Sequence, residues 1–316
     1  PLDVLGWGPP ICAMAQPSCE RSRRRTLPAA TRVPKVVLLI ESSRSSGRSM
    51  LRGIADYARH HGPWAFYWEP GGLEKAWPQL KTLDADGIIL RDVEKLESVM
   101  EYGLPAVVVG HSHQEIPGLA NVITDSEAIG LMAAEHLLNC NFQQFAYCGI
   151  EGFPWSVLRG ESFSRRLSIA GGIVHFYPTP PHRDYPSWRG ERDVMAGWLR
   201  SLPKPIGLMA CNDDRGEQVI EACKTAGIHV PDQVAILGVD NDDLVCDLSD
   251  PPMSSVALNF ERAGYESAQV LDQLMSGQRT SGKRILVAAT HIVTRRSTDT
   301  VAVEDPQLGV ALRFVR

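Results

Sequence analysis

Five aspartates with possible chemistry stand close together in the second half of the chain. They lie within the stretch ACNDDRGEQVIEACKTAGIHVPDQVAILGVDNDD, residues 210–243, each pair or triplet directly after an apolar run. Carboxylates in such positions could bind a metal ion, transfer protons or hold a polar ligand. The five are Asp213, Asp214, Asp240, Asp242 and Asp243.

Neither metal binding nor catalysis explains these residues. A twelve-residue calcium loop counted from Asp240 would need Gly at its sixth position and a carboxylate at its twelfth, but these are Val245 and Pro251. His111 and His113 have a spacing seen in metal sites, without an evident third ligand nearby. The G-x-S-x-G and H-E-x-x-H motifs are missing. We therefore expect a protein without metal or cofactor that is not an enzyme.

Two other stretches could bind phosphate. GQRTSGKR has the spacing of a phosphate-binding loop, but Arg284 stands where Ser or Thr should hold magnesium, and the stretch follows a predicted helix instead of a strand. ESSRSSGRS could bind phosphate through backbone N–H groups, Arg44 and Arg48 at a helix N-terminus. It could equally be a Ser-rich loop that only caps the helix, so both interpretations stay open.

Composition indicates a soluble globular protein. The chain has 316 residues, of which 44% are hydrophobic and 22% charged, and no apolar run approaches the roughly 18 to 20 residues of a membrane-spanning helix. The seven cysteines form no C-x-x-C pair, which favours reduced thiols in a cytoplasmic protein.

The first 34 residues differ from the rest. They are rich in Pro, Ser and Arg, show no sustained periodicity and carry a net positive charge. We expect residues 1–34 to be a flexible tail, since the order of charged and apolar residues is wrong for a secretory signal. The remaining chain is acidic, so a polyanion such as DNA should bind it poorly.

From Lys35 onward, short apolar runs alternate with amphipathic stretches. KVVLLIE, DGIIL, QFAYCGI, IGLMAC and QVAILGV read as buried strands, and SEAIGLMAAEHLLN is typical of the intervening helices. This alternation predicts an α/β fold with parallel sheets covered by helices. Some eleven predicted strands exceed one comfortable open sheet, which favours two Rossmann-like lobes.

Polar residues follow many of the predicted strands, where open parallel sheets bind ligands. They include carboxylates, guanidinium groups and aromatic rings. Paired donors and acceptors beside an aromatic face suit the hydroxyls of a sugar ring.

The second half resembles the effector-binding domain of the lactose/galactose repressor family. The matching motifs are Asn-Asp after a strand, A-G-I-x-V-P-x-x-V-A-I-x-G-V-D, P-P-x-S-S-V, A-G-x-x-A and the closing R-R-S-T. LRGIADYA, DGIIL and ITDSEAIGLMAAEHLL match more weakly in the first half. The resemblance covers about residues 35–298 and implies a periplasmic-binding-protein-like type I fold with a ligand cleft between the lobes.

The resemblance also implies domain boundaries. A first lobe would comprise residues 35–140 and about 258–283, and a second lobe residues 141–257 and about 284–300. The family's N-terminal helix-turn-helix has no counterpart in residues 1–34. Residues 301–316 are similar to the linker of xylose operon regulators, which carry a C-terminal helix-turn-helix of the arabinose-regulator type. We expect that DNA-binding domain to be absent from this chain.

Ligand-binding residues are likewise implied by the resemblance. Arg159, four residues before Phe163, matches the ligand-contacting arginine of the R-x-x-x-F pattern, and Trp188 falls where relatives place an aromatic ring. The full set of candidates is Arg159, Asp240, Asn212, Asp213, Trp188, Trp155, Ser42 and Asp125. Asp214, Asp242 and Asp243 are expected to be solvated residues at helix N-termini.

The implied function is sugar sensing in a transcription regulator. A pentose, with D-xylose favoured, would change the angle between the lobes, and a homodimer would pass this change to DNA-binding domains. A periplasmic-type sugar-binding protein serving a transporter, and a regulator that senses a phosphorylated sugar, are the alternatives.

Overall fold

The computed structural model describes residues 32–71, 83–91, 103–110, 115–178, 188–278 and 282–300, without the side chains of residues 188 and 189. Within these ranges the strands are β1 Lys35–Leu39, β2 Ala65–Trp68, β3 Gly87–Arg91, β4 Ala106–Val109, β5 Ala120–Thr124, β6 Gln144–Cys148, β7 Ile173–Phe176, β8 Ile206–Ala210, β9 Val234–Asp240, β10 Ser254–Leu258, β11 Arg284–Val287 and β12 Ala289–Val293. The helices are α1 Ser45–His61, α2 Ser126–Asn139, α3 Pro154–Ile169, α4 Trp188–Ser201, α5 Asp213–Ala226, α6 Asp243–Leu248 and α7 Phe260–Met275. The sequence also predicts helices over residues 73–83 and 93–102; apart from residue 83, these residues lie outside the described ranges.

The strands form two six-stranded sheets. Their orders are β11-β5-β4-β3-β1-β2 and β12-β10-β9-β8-β6-β7. Among the described strands, β12 pairs antiparallel with β10, and the other pairs are parallel. The predicted α/β fold with two parallel-sheet lobes is confirmed.

Continuous apolar strands explain why both sheets are covered. The central strands read VVLL, IIL, VAILGV and similar runs and are buried. A parallel strand with helices on both faces needs such a run, because both sets of alternating side chains point into the core.

Helices α1 and α7 pack closely against the first sheet. A Cβ atom added to Gly53 would meet the carbonyl oxygen of Glu261, and one added to Gly264 would meet that of Met50. Glycine at these two positions therefore lets the two backbones approach each other.

The chain crosses between the lobes at three places, and backbone hydrogen bonds join these crossing segments to one another. These are the steps from β5 to α2, from β10 to α7 and from β11 to β12. The backbone N–H of Asp125 donates to the carbonyl of Val287 (3.1 Å), and that of Asn259 donates to Ala288 (2.9 Å). We call these three crossings the hinge.

The lobe boundaries differ from the expected ones at two points. Helix α2 packs against α3 and contributes Ile129 and Leu137 to the core of the second lobe, so the first crossing falls near Asp125 and not at residue 140. Strand β11 pairs with β5 of the first sheet, so the last crossing falls at Ala288 and not near residue 283. Neither the resemblance nor the apolar patterning, which predicts an element's type, indicates which sheet these two segments join.

Helix ends follow the local sequence signals. Gly227 ends α5 in the left-handed region (φ 71°), as its position after an amphipathic run predicts. Asn212 and Asn259 cap α5 and α7 through their side-chain oxygens. In the part of the chain that the structure describes, no helix combines the length and apolarity needed to cross a bilayer.

Candidate ligand cleft between the lobes

A cavity of about 590 Å³ opens between the carboxyl ends of the two sheets. Both lobes supply its walls, and the volume is in the usual range for small-molecule sites. The lining residues include Ser46, Arg91, Thr124, Asp125, Trp155, Arg159, Asn212, Asp240, Phe260 and Leu286.

Arg159 lies at the centre of this cleft, on the buried face of α3. Its side chain is 3% exposed, and it donates to the carbonyl oxygen of Cys211 and, at 3.4 Å, to the hydroxyl of Thr124. Among the residues that the structure describes, its Nε has no hydrogen-bond partner. Since a buried donor without a partner is costly, a ligand oxygen at this position would be stabilising.

Trp155 stacks beside Arg159. The guanidinium carbon lies 4.8 Å from the centroid of the indole ring, one helical turn away on α3. Residues four apart share a helix face, so Pro154–Ile169 presents a cation and an aromatic surface together. The pair supplies donors and an apolar face, which sugar binding requires.

Asp240 ends β9 beside the same guanidinium group. Its Oδ1 lies 3.8 Å from Nη2 of Arg159, and its side chain is 29% exposed. The backbone of Asp240 has a positive φ (104°), which is rare for a residue other than Gly. Burial raises the pKa of this carboxyl to about 6, although Arg159 and Arg91 act in the opposite direction.

Asn212 both caps a helix and lines the cleft. Its side-chain oxygen accepts from the N–H of Arg215 (2.9 Å) and so caps α5, while the residue also lines the cleft. The cap uses the oxygen, so the amide nitrogen can serve as a donor.

Asp213 lies behind the cleft wall and is 3% exposed. One carboxylate oxygen accepts from the hydroxyl of Ser255 (2.6 Å) and the other from the N–H of Asp242 (2.7 Å). Burial and the charge of Asp240 raise its pKa. Both oxygens are thus engaged internally, and Asp213 fixes the loop after β9 from behind.

The three remaining candidates occupy different places. Asp125 lines the cleft, where its side chain caps α2 by accepting from the N–H of Ala128 (3.1 Å). Ser42 does not belong to the cavity lining; its carbonyl accepts from Arg48 (3.0 Å). Trp188 begins α4, and its side chain lies outside the described part of the structure.

Arg91 and Ser46 are not among the ligand-binding residues predicted from the sequence, although both line the cleft. Arg91 ends β3, and its Nη1 lies 3.6 Å from Oε1 of Glu41. Its position directly after a predicted buried strand was the available signal. Ser46 lies in the first turn of α1, and no pattern distinguished it from its serine neighbours.

A smaller cavity of about 290 Å³ adjoins the cleft and shares Ser46, Arg91, Asn212 and Asp240 with it. Its other lining residues are Glu41, Arg44, Ser45, Asp213, Asp214, Asp242 and Val245. Carboxylates outnumber guanidinium groups in this adjoining cavity, so it attracts hydroxyl donors and repels anions.

The acidic residues expected to be solvated instead contact the first lobe. Arg44 pairs with Asp214 at 2.7 Å and Arg48 with Asp243 at 3.6 Å. Asp242 caps α6 as predicted, but it is 4% exposed and its other oxygen accepts from the N–H of Ser45 (2.7 Å). The prediction that Asp242 is solvated was wrong, because the first lobe covers this side chain. The local sequence gives no sign of this contact.

The other motifs show no competing site. Within the described ranges, no group of three or more His, Cys, Asp or Glu side chains could hold a metal ion; His111 and His113 lie outside those ranges. Arg284 belongs to β11 and pairs with Glu115 at 2.6 Å.

Comparison with known proteins places the chain in a family. Residues 134–298 match the family model described as periplasmic binding protein-like domain. The xylose operon regulatory protein of Haemophilus influenzae is 28% identical over 292 residues, which cover 89% of this chain and 75% of that protein. The protein of the same name from Escherichia coli K12 is 26% identical, with 90% and 75% covered.

Solved structures agree in fold. The xylose-binding transcription activator xylR matches with a TM-score of 0.77 at 24% identity, covering 90% of this chain and 74% of that one. The cellobiose complex of the transcriptional regulator CelR matches with a TM-score of 0.66 at 21% identity, with coverages of 83% and 84%. With two parallel-sheet lobes and a match over more than half its length, the chain belongs to the periplasmic binding protein-like domain family.

Proposed function

We propose that this chain is the sugar-sensing part of a transcription regulator and binds a pentose, D-xylose by preference, in the cleft between its lobes. The observation that carries this proposal is the proximity of Arg159 both to Asp240 (3.8 Å) and to the indole ring of Trp155 (4.8 Å). This arrangement offers donors, an acceptor and an apolar face to one ring. The names of the similar proteins add support for transcription regulation and for xylose.

The binding mode follows from the cleft. Sugar hydroxyls accept from Arg159 and donate to Asp240, while a ring face packs against Trp155. Asn212 and Asp125 contact the ligand from the two lobes, and Asp213 acts indirectly through the loop that it braces. Ser42 and Trp188 stay proposals that rest on the resemblance.

A neutral sugar fits this cleft better than a phosphorylated one. Arg44 and Arg48, the cations that could bind phosphate, are paired with carboxylates of the second lobe. The smaller cavity that adjoins the cleft carries further carboxylates. A phosphate group placed there would lose hydration and meet like charges.

In the regulator, the sugar acts by stabilising one angle between the lobes. Ligand contacts come from both lobes, so binding energy depends on that angle and shifts the conformational population. In a homodimer, the shift changes the spacing of DNA-binding domains joined through the linker that we propose for residues 301–316.

Thermal unfolding with a panel of ligands tests the ligand class. We expect D-xylose at about 100 times its Kd to stabilise the chain by about 2.7 kcal/mol, which raises Tm by about 5 to 10 °C. L-arabinose and D-ribose should act more weakly, and a phosphorylated pentose should have no effect. Stabilisation by the phosphorylated pentose alone would contradict the neutral-sugar proposal.

A regulator should release its ligand chemically unchanged. After prolonged incubation, sugar separated from the protein should give the nuclear magnetic resonance spectrum of the starting material. Conversion at a rate proportional to protein concentration would show an enzyme instead. Gene expression from a pentose-inducible promoter, measured with and without the chain's gene, separates regulation from transport.

A further inference from the structure

The loop after β1 and three aspartates of the second lobe form a set of contacts outside the ring-binding residues. We call residues 42–48, which comprise the loop after β1 and the first turn of α1, the basic loop. Arg44 and Arg48 give it two positive charges. We call Asp214, Asp242 and Asp243 the acidic rim. The loop belongs to the first lobe and the rim to the second.

The basic loop is held in one conformation. Arg48 donates to the carbonyl oxygens of Ser42 (3.0 Å) and Ser43 (2.9 Å). A Cβ atom on Gly47 would collide with the carbonyl of Glu41, so glycine permits the close turn. The loop can therefore act as a rigid surface.

Each lobe contributes matched groups. Asp214 pairs with Arg44 (2.7 Å), Asp243 with Arg48 (3.6 Å), and Asp242 accepts from the backbone N–H of Ser45 (2.7 Å). Ser45 begins α1, whose free N–H groups and dipole favour a negative charge. The acidic rim thus occupies the features that could otherwise bind a soluble anion.

Burial distinguishes the three contacts. Asp242 is 4% exposed and is fixed from behind by Asp213, which accepts from its N–H. Both side chains of the Arg44–Asp214 pair are partly exposed (46% and 44%), as is Asp243 (68%). The Asp242 contact is shielded, whereas salt should weaken the two ion pairs.

The position of these contacts gives them a role in access. The first lobe meets the hinge at β5 and β11, and β4 and β3 lie between β5 and β1. Three strand spacings of about 4.8 Å put the basic loop roughly 14 Å from the hinge strand β5. The cleft lies between them, so opening the lobes about the hinge must separate the basic loop from the acidic rim.

We propose that the basic loop and the acidic rim form a latch that closes the cleft opposite the hinge and sets the rate at which sugar enters and leaves. The identity of the ligand rests on the proposed function, but the latch itself does not. Breaking it shifts the lobes toward an open arrangement, and sugar binding must then supply the free energy of closure.

Charge reversal with rescue tests the latch. Arg44→Glu combined with Arg48→Glu places like charges against Asp214 and Asp243. We expect a larger radius of gyration in small-angle X-ray scattering without sugar, and sugar dissociation at least about tenfold faster in stopped-flow fluorescence. Adding Asp214→Arg and Asp243→Arg restores opposite charges and should return both values toward those of the wild type.

Arg166→Glu is the matched control, since Arg166 pairs with Glu135 at 2.6 Å within the second lobe. It should change neither the scattering nor the dissociation rate. Far-UV circular dichroism establishes that each variant is folded. A doubly reversed variant with the wild-type scattering profile, or a lack of rescue by the swapped charges, overturns the latch. If the wild type binds no sugar, the proposed function fails while the scattering comparison still decides the latch.

Discussion

At the scale of single residues, the cleft is defined by a buried cation whose partners are incomplete. Arg159 has a backbone carbonyl, a hydroxyl and a carboxylate around it, yet its Nε has no hydrogen-bond partner in the described part of the chain. Replacing it removes the donor and also leaves Asp240 with less positive charge nearby. Breaking a buried charge pair in this way commonly costs about 3 to 5 kcal/mol of stability.

The titration of Asp240 predicts a pH dependence of sugar binding. Its pKa is raised to about 6 by burial, against Arg159 and Arg91, with Asp214 and Asp242 acting in the same direction as burial. The ionised carboxylate is the better acceptor, so we expect affinity to fall as the pH drops from 7 to 5. Fluorescence titrations across this range measure the effect.

The raised pKa of Asp240 affects the stability of the fold in the opposite direction to its effect on sugar affinity: stability decreases as the pH rises. Because the folded state holds the proton more tightly than the unfolded chain, the contribution of Asp240 to the free energy of unfolding decreases as the pH rises from about 4 to about 6. Asp240→Asn should remove this part of both pH dependences. A variant with the wild-type pH profile would exclude Asp240 as the titrating group.

The sequence predicted part of this site. The resemblance to the repressor family implies Arg159 through its R-x-x-x-F pattern, and Asp240 also stands at a predicted strand end; the structure brings these two side chains within 3.8 Å of each other. The internal bonds of Asp213 could not be foreseen, because its partner Ser255 is 42 residues away. Likewise, local sequence does not show that the first lobe covers Asp242.

At the scale of elements, close helix packing depends on particular glycines. Gly53→Ala would place a methyl group against the backbone carbonyl of Glu261. A backbone atom cannot move aside as the end of a flexible side chain could. We expect a loss of about 1 to 3 kcal/mol in the free energy of unfolding, measured by urea denaturation.

Gly197→Ala is the matched control in α4, because a Cβ atom there meets nothing within 4 Å. Replacing an exposed helical glycine should stabilise the chain by about 0.5 to 1 kcal/mol. Equal effects of the two substitutions would show that helix propensity, and not the contact between α1 and α7, determines the cost at Gly53.

The types of the described elements were readable from the sequence, whereas their starting points were less so. Helix α5 begins at Asp213, directly after the Asn212 cap, although its apolar periodicity becomes clear only near residue 217. The polar residues that follow a strand both cap the next helix and line the cleft. The pattern of apolar residues therefore does not show where the helix begins.

At the scale of the whole molecule, three crossings join the two lobes. Patterning predicted two lobes but not the sheet to which β11 belongs, because β11 and β12 are both short and separated by Ala288 alone. The pairing of β11 with β5 determines its sheet, and β5 is far from β11 in the sequence.

The bonded hinge predicts cooperative unfolding of the two lobes. Hydrogen bonds between separate crossings, such as Asn259 to Ala288, mean that one lobe cannot unfold without disturbing the other. We expect one transition in differential scanning calorimetry, shifted as a whole by sugar. Two transitions of which sugar moves only one would contradict this coupling.

The most direct test of the central claim is isothermal titration of D-xylose into the wild type, Arg159→Lys and Asp240→Asn, with Arg166→Lys as the control. The cleft site predicts saturable binding to the wild type and the control, and affinity at least about tenfold lower in the two cleft variants, all folded by circular dichroism. Equal affinity in all four proteins would place the sugar elsewhere, and no binding to the wild type would contradict xylose sensing.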